Sequence, residues 1–243
     1  MSESKGVKVD ACFSPALYHV YKDEESIVVI IDVLRATSAI CTAFHHGAEK
    51  IIPVATVDEA RKYKESGMLA GAERDAMKID GFDFGNSPFD YMGPEIKGKT
   101  IALTTTNGTQ AIDVSKDAYQ VVVGAFTNIS ALCDWLVSQN RNVLLLCSGW
   151  KNRFNLEDSL FAGAVTHELV KRNPAILLGD GCLALKYLFQ IAEKTPARFL
   201  AKASHKQRLW KLGLKDDIRY CLQTDMTDVI PVLEKGALVK MEK

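Results

Sequence analysis

The chain has 243 residues, of which 47% are hydrophobic, enough for one large α/β domain or two small ones. Thirty Lys and Arg balance thirty Asp and Glu, so no global field draws it to nucleic acid or an anionic membrane, and any anion it binds is held by a local cluster. Met1–Asp10 is polar with no signal-peptide core behind it, and no apolar stretch reaches the roughly 18 residues of a transmembrane helix, so a soluble, cytoplasmic protein is expected.

Apolar runs of strand length recur along the chain, each followed by a helical pattern: Val7–Cys12, Ile27–Leu34, Ile51–Ala55, Met68–Ala72, Thr100–Leu103, Gln120–Ala125 and Val143–Cys147. That alternation predicts a layered α/β/α fold with a largely buried central sheet. Between Glu73 and Gly98 the pattern breaks into Gly, Pro, Asn and Asp, an irregular segment of the kind that carries function. A helix is expected near Asn155–Lys171. Residues 174–214 read as a mostly helical segment or cover, broken at Lys194-Thr-Pro-Ala, and two short strands close the chain around Gly236. The whole of 1–243 is expected to form one unit, with a division into two α/β lobes as the variant. The six cysteines are scattered, without CxxC pairs, and read as reduced structural thiols.

Polar residues concentrate where strands run into helices, the place where open α/β sheets bind ligands. Asp32 ends a run of Ile and Val, so its carboxylate stands at the rim of a buried strand, where an unpaired charge is costly. It is read either as the N-cap of the next helix or, with Arg35, Thr37 and Ser38 beside it, as part of an oxyanion site. Thr104–Thr109 offers four hydroxyls, an amide and a glycine after a strand, suited to a structural turn or to an anion nest. Glu157 and Asp158 fall in the first turn of a helix, where acids favour the dipole; beside Lys151 and Asn152 they also suit a hard cation with oxygen ligands, as Mg²⁺ prefers. In Gly81-Phe-Asp-Phe-Gly-Asn-Ser-Pro, Asp83, Asn86 and Ser87 supply further oxygen ligands or donors, and Arg74 upstream adds a fixed cation.

The motifs Asp32-Val-Leu-Arg-Ala-Thr-Ser, Gly71-Ala-Glu-Arg, Gly81-Phe-Asp-Phe-Gly-Asn-Ser-Pro, Thr105-Thr-Asn-Gly-Thr and Asn155-Leu-Glu-Asp-Ser-Leu-Phe-Ala-Gly-Ala, in this order, closely resemble the 2-phosphosulfolactate phosphatase family from about Val7 to the terminal strands. The resemblance implies Mg²⁺-dependent hydrolysis of 2-phospho-3-sulfolactate to 3-sulfolactate and phosphate, in coenzyme M synthesis or related sulfonate metabolism. Asp75-Ala-Met and Ser148-Gly-Trp-Lys-Asn depart from the family's small-residue pattern and bear on substrate identity more than on reaction type.

On that reading, Mg²⁺ is held by some of Asp32, Asp83, Glu157 and Asp158, with Asp32, Arg35 and Asp158 catalytic. Thr37, Ser38, Arg74, Asn86, Thr105, Thr106, Asn107, Gly108, Thr109, Lys151 and Asn152 bind substrate, Arg74 and Lys151 being the candidates for a second anion. The attacking oxygen comes from a metal-bound water or a carboxylate. Asp32 is not a haloacid-dehalogenase nucleophile, because Leu34 replaces the second Asp of that signature. Two alternatives stand beside it: a cysteine phosphatase using Cys147-x5-Arg153, and a non-catalytic small-anion binding protein. A symmetric homodimer is the expected assembly.

Overall fold

The computed structural model describes residues 6–242. Its centre is a sheet of eleven strands: β1 (Lys8–Cys12), β2 (Ile27–Ile31), β3 (Lys50–Pro53), β4 (Leu69–Arg74), β5 (Met77–Lys78), β6 (Thr100–Thr104), β7 (Gln120–Gly124), β8 (Val143–Cys147), β9 (Leu177–Leu178), β10 (Pro231–Glu234) and β11 (Ala237–Lys240). The helices are α1 (Tyr18–Tyr21), α2 (Ala36–His45), α3 (Val57–Glu65), α4 (Gly108–Ser115), α5 (Ile129–Gln139), α6 (Leu156–Arg172), α7 (Asp180–Ala192), α8 (Pro196–Phe199), α9 (Ser204–Lys211) and α10 (Lys215–Cys221).

The expected α/β/α layering is present. β2 is buried at all five positions because both of its faces are covered, and alternate side chains of a strand point to opposite faces. Ile27, Val29 and Ile31 enter a core shared with α5, α6 and α7, whereas Val28 and Ile30 enter another shared with α2 and α4. β8 divides in the same way, Leu145 and Cys147 to the first side and Leu144 and Leu146 to the second. A smaller cluster of Ala60, Ala70, Phe82 and Ala102 lies under α3, whose start is locked by a capping box between Thr56 and Glu59.

The strand order is β5-β4-β6-β3-β11-β10-β7-β2-β8-β1-β9. β7, β2, β8, β1 and β9 form one parallel block, and β3, β6 and β4 another. The terminal hairpin, turning at Lys235 and Gly236 with φ of 48° and 81°, the backbone a two-residue hairpin turn requires, is inserted between them and pairs antiparallel to β7 and to β3. The blocks are therefore locally opposed in direction. Twist accumulates at about 20–25° per strand, so over the five steps from β2 to β6 the strand direction turns through a right angle or more, and the carboxyl ends of both blocks reach one region.

Residues 174–214 are mostly helical, as expected, but begin with the edge strand β9. α7 packs along α6 and β1, and α8 to α10 continue across to the strand ends. A buried ion pair between Arg35 Nη1 and Asp217 Oδ2 (2.6 Å) fastens α10 there. Among the described residues no helix is long and apolar enough to cross a membrane.

Candidate active site

Turns following β2, β6 and β8, together with β4, Asn86 and α9, enclose a narrow crevice with about 10 Å³ of free space, room for about one water. In the turn after β2, Asp32 is 7% exposed. Its N–H donates to the Thr37 hydroxyl (3.2 Å), its carbonyl accepts the Thr37 N–H (2.9 Å), and Ser38 Oγ donates to the Val33 carbonyl (2.9 Å). Thr37 and Ser38 thus brace the turn from within, fully buried, and do not face the ligand space expected of them. The Asp32 carboxylate accepts the N–H of Ala36, the first residue of α2, so it serves the helix start and the crevice together.

The turn after β6 presses directly against it. A Cβ on Gly108 would lie 2.9 Å from Ala36 Cβ and 3.2 Å from Asp32 Oδ2, so glycine is what lets α4 begin beside the carboxylate. Asn107 lines the crevice and its Oδ1 accepts the N–H of Lys151 (3.2 Å), joining this turn to the one after β8. That third turn is closed by two backbone hydrogen bonds between Trp150 and Arg153 (2.9 and 3.0 Å). Gly149, Lys151 and Asn152 adopt φ of 65°, 49° and 60°, the last two uncommon for non-glycine residues.

Four acids gather around the crevice: Asp32, Glu73 at the end of β4, and Glu157 and Asp158 at the start of α6, all buried. Burial pushes the Asp32 carboxyl up to about 6; Glu73 and Glu157 add to the rise, while His205 and the Ala36 N–H oppose it. Burial, then Asp32 and Glu157, push Asp158 well above the usual carboxylate range against the N–H groups of Val33 and Gly149. Glu73 accepts from Ala76 N–H (2.5 Å) and from Thr106 N–H (3.3 Å). Glu157 Oε1 lies 2.7 Å from His205 Nδ1.

The positive side of the crevice is supplied by α9. His205 and Arg208, one turn apart, both meet Trp150: the His205 ring centroid is 5.4 Å from the indole, and the Arg208 guanidinium carbon lies 3.4 Å from its centroid. Arg35 also lines the crevice but is 3% exposed, and its Nη1 and Nη2 are committed to Asp217 (2.6 Å) and the Ala76 carbonyl (2.7 Å). Asn86 reaches the crevice from the irregular segment with its Oδ1 buried and unpartnered.

A family model described as 2-phosphosulpholactate phosphatase matches residues 12–236. The chain is 44% identical over 214 residues, 88% of its length and 92% of the relative's, to a protein of Thermotoga petrophila named "Probable 2-phosphosulfolactate phosphatase". Proteins of the same name from Carboxydothermus hydrogenoformans (39% identical, 96% of this chain and 97% of the relative) and Clostridium acetobutylicum (35%, 96% and 100%) match nearly end to end. The chain belongs to the 2-phosphosulpholactate phosphatase family.

Within this family member, the residues singled out in the sequence separate into groups. Asp32, Arg35, Asn86 and Asn107 line the crevice. Arg74, Thr105, Thr106 and Thr109 line a larger adjoining cleft of about 430 Å³, where Arg74 donates to the Glu73 carbonyl (2.6 Å) and the Thr104 hydroxyl (3.2 Å). Lys151 and Asn152 are exposed, with Lys151 Nζ 3.7 Å from Asp75.

Asp83 lies apart from the other three acids of the expected metal set. Its carboxylate takes Lys64 Nζ (2.5 Å) and the Ala70 N–H (2.9 Å). Burial alone would raise its pKa, but the ammonium and the N–H outweigh it and hold the carboxyl below the usual range. Among the described residues, no group of three His, Cys, Asp or Glu is disposed to hold a metal ion, so the four-acid ligand set is not assembled.

The Cys147-x5-Arg153 alternative is overturned. Cys147 is 1% exposed, inside the strand core, and burial pushes its thiol well above the usual range, opposite to what a nucleophile needs. Arg153 is exposed and caps a backbone-closed turn. Cys147→Ala is expected to keep kcat within about threefold and cost about 1 kcal/mol of stability; a dead but folded variant would revive the thiol mechanism.

Glu73, Trp150, His205 and Arg208 were absent from the sequence-derived site. Glu73 had a signal, an acid at a strand end within Gly71-Ala-Glu-Arg. His205 and Arg208 had none, since their helix shows only a packing periodicity.

Proposed function

We propose that this protein hydrolyses 2-phospho-3-sulfolactate, or a closely similar multiply anionic phosphoester, to the hydroxy acid and phosphate with Mg²⁺, in the cytoplasm. What supports the reading is that Asp32 and Glu73 line one narrow crevice while Glu157 and Asp158, also buried, lie close enough to act on Asp32 or on each other electrostatically. Burying several carboxylates together is unfavourable unless a cation or protons offset the charge. The six cysteines, all unpaired and buried, suit a reducing compartment.

The donor chemistry fits Mg²⁺ in its usual protein mode, one or two carboxylates with waters and substrate phosphate completing the shell. Asp32 and Glu73 would hold it, and the unpartnered Asn86 Oδ1 suits a hydrogen bond from a bound water. When present, the ion supplies charge neutralisation at the phosphoryl oxygens. The chain's own residues do the positioning. Asn107, just before α4, and Trp150 both line the crevice and would flank a bound phosphoryl group. His205, oriented through Nδ1 by Glu157, is the group set to protonate the departing alkoxide oxygen as the P–O bond breaks and an incoming water oxygen bonds to phosphorus; the proton that this water sheds passes to a phosphate oxygen and from there restores the imidazole.

Phosphate release from 2-phospho-3-sulfolactate, 2-phospholactate and an aryl phosphate tests this. The sulfonated compound is expected to have the highest kcat/KM, and chelation to lower it by about 100-fold or more, with recovery on adding Mg²⁺. Tight binding without turnover would mark an anion-binding protein. Full activity in chelator would remove the metal from the reading.

A further inference from the structure

Of the two arginines that line the crevice among the described residues, Arg208 is the one whose hydrogen-bonding edge is open. Its Nε and Nη2 are buried without any acceptor, and these two N–H groups form the side of a guanidinium that grips an oxyanion through parallel hydrogen bonds. The flat face is already taken, lying 3.4 Å from the centroid of the Trp150 ring, so the plane of the fork is set before any ligand arrives. Burial disfavours the charged form here while the nearby Asp75, Glu73 and Glu157 carboxylates favour it, and two buried N–H donors without an acceptor are costly. An anion on that edge would satisfy both.

We infer that the Nε–Nη2 edge of Arg208 is the subsite for the substrate's second, non-transferred anion, a sulfonate, and that Trp150 is the positioning residue that orients it. This inference rests on the phosphatase reading given above. A sulfonate suits the fork because it carries a fixed single charge and spreads it over three equivalent oxygens, needing hydrogen-bond donors more than a metal. The two cations suggested for this role by sequence are otherwise placed. Arg74 spends its Nη groups on the Glu73 carbonyl and Thr104, and Lys151 is exposed at the rim. Because Arg208 sits on α9 while Asp32 follows β2, the two ends of the substrate are read by separate elements.

The test compares Arg208→Gln and Arg208→Lys with the wild type on 2-phospho-3-sulfolactate and on 2-phospholactate, which has hydrogen in place of the sulfonate. Both variants are expected to lose about 100-fold in kcat/KM on the sulfonated compound, chiefly through KM, and less than about tenfold on 2-phospholactate. Equal losses on both substrates would overturn the assignment. As a check that needs no variant, wild-type protein is treated with phenylglyoxal and the modification of Arg208 is read by mass spectrometry. Protection by 3-sulfolactate but not by lactate is expected, and equal protection would refute the subsite. If the wild type released phosphate from neither compound, the phosphatase reading would fail, while the protection experiment would still report on the sulfonate subsite.

Discussion

Asp32→Asn is expected to abolish turnover, by about 10³-fold in kcat/KM, and at the same time to make the metal-free protein more stable at neutral pH. The loss follows from removing the carboxylate we place on Mg²⁺ at the reacting phosphoryl group. The gain follows from linkage. The Asp32 carboxyl is moved from its ordinary 3.8 to about 6 by burial and neighbouring acids, so the folded state holds this proton more tightly than the unfolded chain. Below pH 3.8 both states are protonated and the group contributes nothing. As pH rises from there to about 6 the unfolded state ionises first and stability falls; above about 6 both are ionised and the deficit stays constant, at most about 3 kcal/mol. Asn carries no such deficit, so Asp32→Asn should raise the melting temperature by about 3–8 °C at pH 7.5 in chelator, with the difference shrinking towards pH 4. Added Mg²⁺ should then stabilise the wild type more than the variant. A variant that melts lower at both pH values, or equal Mg²⁺ stabilisation of the two proteins, would sink the argument.

This opposition of stability and activity is what makes Asp32 visible in the sequence. A charge at the end of Ile27-Val-Val-Ile-Ile has no packing reason to be there, and strands buried on both faces, such as β2 and β8, announce themselves as unbroken apolar runs. The layering followed from these runs. The antiparallel insertion of β10 and β11 between two parallel blocks did not, because strand order is fixed by partners distant in the chain, such as Leu238 beside Ile51. The same limit governed the site. Asp83 sits in a loop whose composition is equally suited to a metal and to a lysine; Lys64, nineteen positions away on α3, decides it. His205 reaches Glu157 across forty-eight positions. Its helix pattern reports the face that packs through Leu209 and is silent about Arg208 beside it.

Asp158 illustrates how an acid can be essential to a site while its oxygens serve the fold. Oδ1 accepts the N–H of Val33 (3.0 Å), and Oδ2 accepts from Gly149 N–H (3.0 Å) and Asn155 Nδ2 (2.9 Å). One side chain therefore ties the turn after β2, the turn after β8 and the start of α6. Asp158→Ala would strand these three donors in a region where Asp158 itself is fully buried, at about 1–3 kcal/mol for each donor that finds no water. A net loss of about 3–6 kcal/mol is expected, a large share of the roughly 5–15 kcal/mol that holds a domain together, and a fall in melting temperature of about 10–20 °C. Asp158→Asn keeps an acceptor on one side and sets an NH₂ against a backbone donor on the other. It should lose about half as much. Activity should fall in both variants in step with the loosened Asp32 turn. If Asp158→Ala were instead inactive with an unchanged or raised melting temperature, Asp158 would have to act on the ligand directly, and the three N–H groups would not be what keeps it there.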